Sequence, residues 1–164
     1  DILPVYSSAL VVDKWPMAKA TPVVDLPKVN YCIRHWVKNE NWEDVGAYDY
    51  IRNKILNNKI SDHGIKNEQE IELRFKRLDT IFRQIKIENK FKKQRELFKG
   101  NLREKGGVLI HIGPNGVPYF GLKGNHRFAM AYILNIPIPA QIGLVHTSSL
   151  DKIESMRMKC YNYF

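Results

Sequence analysis

The sequence predicts an α+β fold: a small mixed β-sheet with packed helices, preceded by helices and a proline-rich N-terminal arm. Three observations carry this. Ile71, Phe75, Leu78, Phe82 and Ile85 recur at spacings of 4, 3, 4 and 3, one apolar stripe on a helix. Apolar runs at 108–112 and 117–122 flank Gly113-Pro114-Asn115-Gly116, a turn with Pro second and Gly fourth, which predicts a hairpin. A glycine-broken basic turn, Gly121-Leu122-Lys123-Gly124-Asn125-His126-Arg127, then runs into a segment of helical character and a further apolar run at 140–145.

In chain order, residues 1–42 read as an N-terminal arm and an aromatic cluster, and 43–164 as the domain proper. Pro4, Pro16, Pro22 and Pro27 punctuate residues 1–30, which are read as irregular. Within them 8–12 is a strand or a short helical turn, and Trp15, Val23 and Val24 are anchors. Tyr31, His35, Trp36 and Trp42 form an aromatic group that closes a core or stacks a base. Val45, Tyr48, Ile51 and Ile55 predict a helix over 43–58, ended by Asn57-Asn58. The clearest helix is 68–88, with Asn67 as N-cap and Glu68, Glu70 and Glu72 suited to the helix dipole. Residues 89–105 are polar and basic, with Phe91, Leu97 and Phe98 as packing points. The hairpin follows, then a helix over 125–134. Asn135 stops it, and Pro137 and Pro139 forbid its continuation. The last strand is 140–145. In the tail, Ser148-Ser149 caps a helix over 150–158.

Composition bounds the function. The net charge is +9, and residues 52–105 hold sixteen Lys and Arg against eight Asp and Glu. A basic surface over 74–105 suits nucleic acid, nucleotides or acidic partners, or is simply a solvated helical face. Cys32 and Cys160 form no metal or redox motif, which suggests a reducing compartment, and the expected location is cytoplasmic. No apolar run approaches the ~18 residues of a membrane helix, so no membrane partner is expected. His35 has no neighbour at metal-ligand spacing, and no metal site is proposed.

The basic turn is where an anion would sit. The first N–H groups of a helix lack intrahelical partners, and the dipole there favours negative charge. Lys123, Gly124, Asn125, His126 and Arg127 are the candidate binding residues. Arg127 and Lys123 would add charge-assisted hydrogen bonds. His126 binds or orients the loop, Asn125 is the expected N-cap, and Gly121 and Gly124 serve the turn geometry. His111 is read as a partly buried structural residue, His146 as lacking a visible partner, and Gln94 as within reach of a ligand. No catalytic residue is assigned: Asp79, Glu96 and Glu104 are near in sequence and none is distinguished.

From Arg77 to His146, roughly 70 of the 164 residues, the chain resembles the ParB/sulfiredoxin-like superfamily. The order is a helix bearing Leu78, Ile81 and Ile85, a connection containing Gln94, a hairpin, Gly124-Asn125-His126-Arg127 opening a helix, and Ile138-Pro139 entering a strand. The resemblance implies a domain core at 77–146 that binds nucleotide phosphates, with Gly124 and Arg127 as contacts and His126 carried over more weakly. The departures remove three activities. Sulfiredoxins place their nucleophilic Cys where this chain has Asn125, so sulfinic acid reduction is not expected. Partition proteins carry Glu there and a DNA-binding region afterwards, whereas 18 residues follow His146. Kinase-type members place Asp where this chain has Lys123, which cannot serve as that acid–base carboxylate. The leading expectation is a nucleotide-binding module for ATP, ADP or CTP. Beside it stand a phosphotransferase or hydrolase, its Mg²⁺ carried by the substrate, and a nucleic-acid-binding accessory protein.

Overall fold

The computed structural model describes residues 10–15, 21–58, 64–101, 104 and 106–153. The chain is α+β. It groups into two compact units, one holding the strands and one holding the long helices.

The first unit takes residues 1–20, 92–124 and 139–164. Its strands are β1 (Leu10–Val12), β2 (Val108–Ile112), β3 (Pro118–Phe120) and β4 (Ala140–His146), in the order β1-β4-β2-β3. β2 and β3 are antiparallel, with Ile110 opposite Phe120, so the hairpin forms as its turn residues require. β4 runs parallel to both β2 and β1, which makes the sheet mixed. Val108, Leu109, Ile112, Leu144 and Val145 are buried. Trp15 is an anchor as expected, its ring 5.3 Å from that of Tyr119. Residues 8 and 9 and the tail beyond 153, with Cys160, lie outside the described residues.

Three readings are corrected in this unit. Ser149 directly precedes helical residues 150–153, where the tail helix is expected to begin, but its side chain does not cap them. It is fully buried, donating from Oγ to Gly113 O (2.7 Å) and accepting from Gly116 N (2.9 Å), so it ties the tail to the hairpin turn. Leu97 and Phe98 are not packing points, being 47% and 61% exposed around the short helix α4 (Gln94–Leu97). Gln94 is 5% exposed, the reverse of a residue reaching out to a ligand.

The second unit takes residues 21–91 and 125–138. It holds α1 (Pro27–Lys38), α2 (Ala47–Asn58), α3 (Glu68–Glu88) and α5 (Asn125–Leu134). α1 begins inside residues 1–30, where the prolines predict irregular chain. Pro27 is its first residue, where a missing N–H costs nothing, and Val29, Tyr31 and Cys32 are its buried face. α2 begins at Ala47, later than expected, after a turn through Gly46. α3 has the predicted bounds; Asn67 Oδ1 accepts from Glu70 N at 2.9 Å, and Ile71, Phe75, Phe82 and Ile85 are buried. α5 buries Ala129, Met130 and Ala131, and ends where Asn135 turns to φ 53°.

The aromatic group closes this core. Tyr31 meets Phe75 edge-on at 6.0 Å, and Trp36 stacks on Phe82 at 4.3 Å. Asp79, on α3, gathers the polar edges of the same rings. Its Oδ1 accepts from His35 Nε2 (3.0 Å) and Trp36 Nε1 (2.9 Å), and its Oδ2 from Trp42 Nε1 (3.1 Å). His35 also bonds through Nδ1 to Glu40 O at 2.6 Å. Both its ring nitrogens are thus engaged within this cluster. Cys32 is fully buried, and burial pushes its thiol upward, away from a reactive thiolate.

Candidate functional site

The residues of the basic turn divide between the two units. Lys123 and Gly124 belong to the sheet unit; Asn125, His126 and Arg127 open α5 in the helical unit.

In the sheet unit, β3 ends at Phe120, short of the expected Leu122. Gly121 N donates to Leu109 O at 2.8 Å, and Leu122 takes φ 59° to turn the chain. Gly124 is required for two reasons. Its φ is +71°, and a Cβ there would lie 2.7 Å from Gly107 O and 2.9 Å from Val108 Cα. Gly121 is needed for a different reason than turn geometry: a Cβ there would meet the side chains of Leu109 and His111 at 2.7 and 2.9 Å.

Gly107 has a second close neighbour that sequence reading left undistinguished. Glu104 takes φ 53°, its O accepts from Gly107 N (2.8 Å), and its Oε1 accepts from Gln94 N (2.8 Å). Its Oε2 is buried without a hydrogen-bond partner. The other two carboxylates have structural work. Asp79 holds the aromatic cluster, and Glu96 accepts from Lys93 N at the start of α4. The sequence signal for Glu104 is slight: a lone carboxylate two residues before Gly106-Gly107.

In the helical unit, Asn125 is the first helical residue, so the cap position falls on Gly124 rather than on Asn125. His126 is half-buried, with Nε2 2.6 Å from Tyr31 Oη and the rings 5.8 Å apart. Arg127 is also half-buried, its guanidinium 5.5 Å from the centroid of the Phe91 ring. It is therefore not an exposed first-turn arginine. No acidic residue lies in the first turn of α5, and Arg127 brings a basic side chain to the helix end whose dipole favours an anion.

His111 is structural, for a reason the geometry makes plain. The β2–β4 register slips between Ile110 and Ile112, leaving Leu144 N off the regular ladder. His111 Nδ1 accepts that N–H at 2.9 Å. The ring occupies space left by two glycines, for a Cβ on Gly143 would lie 2.5 Å from His111 Nδ1 and one on Gly121 2.9 Å from Nε2. Burial holds the His111 pKa below the usual 6.5. The unfolded chain then binds the extra proton more readily, so stability is full above about pH 6.5 and falls as pH drops through the folded value. Protonation also removes the acceptor for Leu144 N. His111→Phe should cost about 1 kcal/mol at pH 7.5, and the gap to wild type should narrow at pH 5.5. Urea unfolding at both pH values measures this; an unchanged gap would refute the role.

His146 does have partners. Its Nδ1 accepts from Ser148 N at 3.2 Å, and Nε2 lies 3.0 Å from Asp13 O. Among the described residues, no three His, Cys, Asp or Glu side chains converge as a metal site would require. No helix among them is long and apolar enough to cross a membrane. Comparison of the chain with protein-family models, curated proteins and solved structures finds no match.

Proposed function

We propose that this chain is a nucleotide-binding module of the ParB/sulfiredoxin-like type, holding a phosphate at the start of α5. One observation carries the reading: α5 opens with His126 and Arg127, half-buried and seated on Tyr31 and Phe91, with no carboxylate in its first turn. A helix start of this kind, basic and without a carboxylate of its own, suits an anion on its N-terminal N–H groups. Lys123 and Gly124 precede this turn in the chain and complete the proposed contact set. The element order supports the same reading: helix, a segment with Gln94, hairpin, glycine-led helix, strand.

The test is titration calorimetry with ATP, ADP and CTP, with and without Mg²⁺. Charge-assisted hydrogen bonds are worth about 1.5–3 kcal/mol each, so Arg127→Ala should weaken binding roughly tenfold to a hundredfold. Arg127→Lys should recover part of this, since the planar fork is lost. Because Arg127 also packs on Phe91, thermal unfolding of each variant separates lost binding from lost folding. Equal affinity of wild type and the folded variants, or no binding of any nucleotide, would reject the site.

A second reading, a phosphotransferase or hydrolase, is favoured by Glu104 alone. Its Oε2 has no hydrogen-bond partner, and a Cβ on Gly107 would lie 3.3 Å from it, while one on Gly124 would lie 2.7 Å from Gly107 O. Nucleotide turnover that is abolished in Glu104→Gln, with nucleotide affinity retained, would establish it.

A further inference from the structure

The outer side of α3 carries a groove of about 420 Å³ within the helical unit, lined by Ile65, Leu73, Arg74, Arg77, Leu78 and Ile81 among others. Leu73 and Ile81 are 49% and 44% exposed, high for side chains of their size on a helix that already has a buried stripe. They lie eight residues apart, about 12 Å along the helix at 1.5 Å per residue. Between them stand Arg74 and Arg77, three residues apart and therefore neighbours on the helix surface. Among the described residues neither arginine makes a hydrogen bond or ion pair, and Arg74 Nε is buried with no acceptor. A dehydrated guanidinium N–H beside a second, like charge is a costly arrangement in the isolated protein. Glu70, which lines the same groove, does not relieve it, for its carboxylate accepts from Lys66 N and Asn67 Nδ2.

The geometry points to a docking groove for an acidic, amphipathic segment of a partner protein. One carboxylate of that segment bridges Arg74 and Arg77, and apolar side chains on either side of it cover Leu73 and Ile81. Charge complementarity selects this occupant. A second copy of the chain would bring its own net charge of +9 and a second arginine pair to the contact. A nucleic-acid backbone would satisfy the arginines and leave the two apolar ends of the groove uncovered. A polypeptide supplies an apolar, anionic, apolar sequence over the required length.

The experiment is selection of a phage-displayed random 16-residue peptide library on the full chain, with counter-selection on the Arg74→Gln/Arg77→Gln double variant. Both arginines lie outside the buried stripe of α3, and thermal unfolding of the double variant verifies its fold. Recovered peptides should carry Asp or Glu flanked by large apolar residues. By fluorescence anisotropy they should bind the double variant at least tenfold more weakly, and Leu73→Ser/Ile81→Ser should lose a comparable factor. The inference is overturned if no peptide is recovered, if recovered peptides lack an acidic residue, or if they bind both proteins alike. Binding of a labelled RNA duplex that depends on the arginine pair but not on Leu73 and Ile81 would also overturn it.

Discussion

Gly124→Ala is expected to be among the most destabilising single-methyl changes in this protein. Two costs add. An L-residue at φ +71° costs about 1–2 kcal/mol. The new methyl would also meet backbone rather than a mobile side chain, at 2.7 Å from Gly107 O and 2.9 Å from Val108 Cα. Overpacking of that kind costs about 1–3 kcal/mol, and strand β2 cannot recede without breaking its ladders. A total of roughly 2–5 kcal/mol should lower the unfolding midpoint by about 4–20 °C at this chain length. Gly46→Ala is the control. Its φ is +77°, and a Cβ there has nothing within 4 Å, so only the backbone term applies. Thermal unfolding of the two variants compares them directly. Equal shifts would mean that Gly124 is not seated against Gly107.

The second large effect is expected at Asp79. Asp79→Ala leaves His35 Nε2, Trp36 Nε1 and Trp42 Nε1 without their acceptor at one stroke. Hydrogen bonds to a charged group are worth about 1.5–3 kcal/mol each. The carboxylate is 29% exposed, so water replaces part of what is lost. The expected cost is roughly 3 kcal/mol, or about 6–12 °C in the midpoint. Asp79→Asn should fall between wild type and alanine, because its carbonyl still accepts while its amide opposes a donor. Near-UV circular dichroism reports the environment of Trp36 and Trp42 in the same experiment. An alanine variant with the wild-type midpoint and spectrum would show that the three donors do not depend on Asp79.

Sequence periodicity reached the elements that depend on local pattern. α3, α5 and the hairpin appear at or near their expected bounds because apolar spacing and turn residues specify them without help from distant parts of the chain. α1 was hidden by its own proline. Pro22 and Pro27 read as breakers, yet Pro27 is the residue that starts the helix. Asp79 could not be recognised, since its partners lie 37 to 44 residues away and carboxylates are common on helix surfaces. The candidate site was partly legible. Glycine at 124 and the run of basic side chains were visible, whereas the seats of His126 on Tyr31 and Arg127 on Phe91 come only from packing. Glu104 is held by Gln94 N and Gly107 N, contacts made by backbone that no side-chain pattern announces.

The proposed seat of a nucleotide phosphate is the first turn of α5. Amide chemical-shift mapping by ¹⁵N–¹H NMR, during titration with ATP, ADP and CTP, addresses it most directly because it reads the backbone N–H groups themselves. Saturable shifts centred on the amides of Gly124, Asn125, His126 and Arg127 are expected, lost in Arg127→Ala at the same nucleotide concentration. Shifts confined to other elements, or none at all, would contradict it.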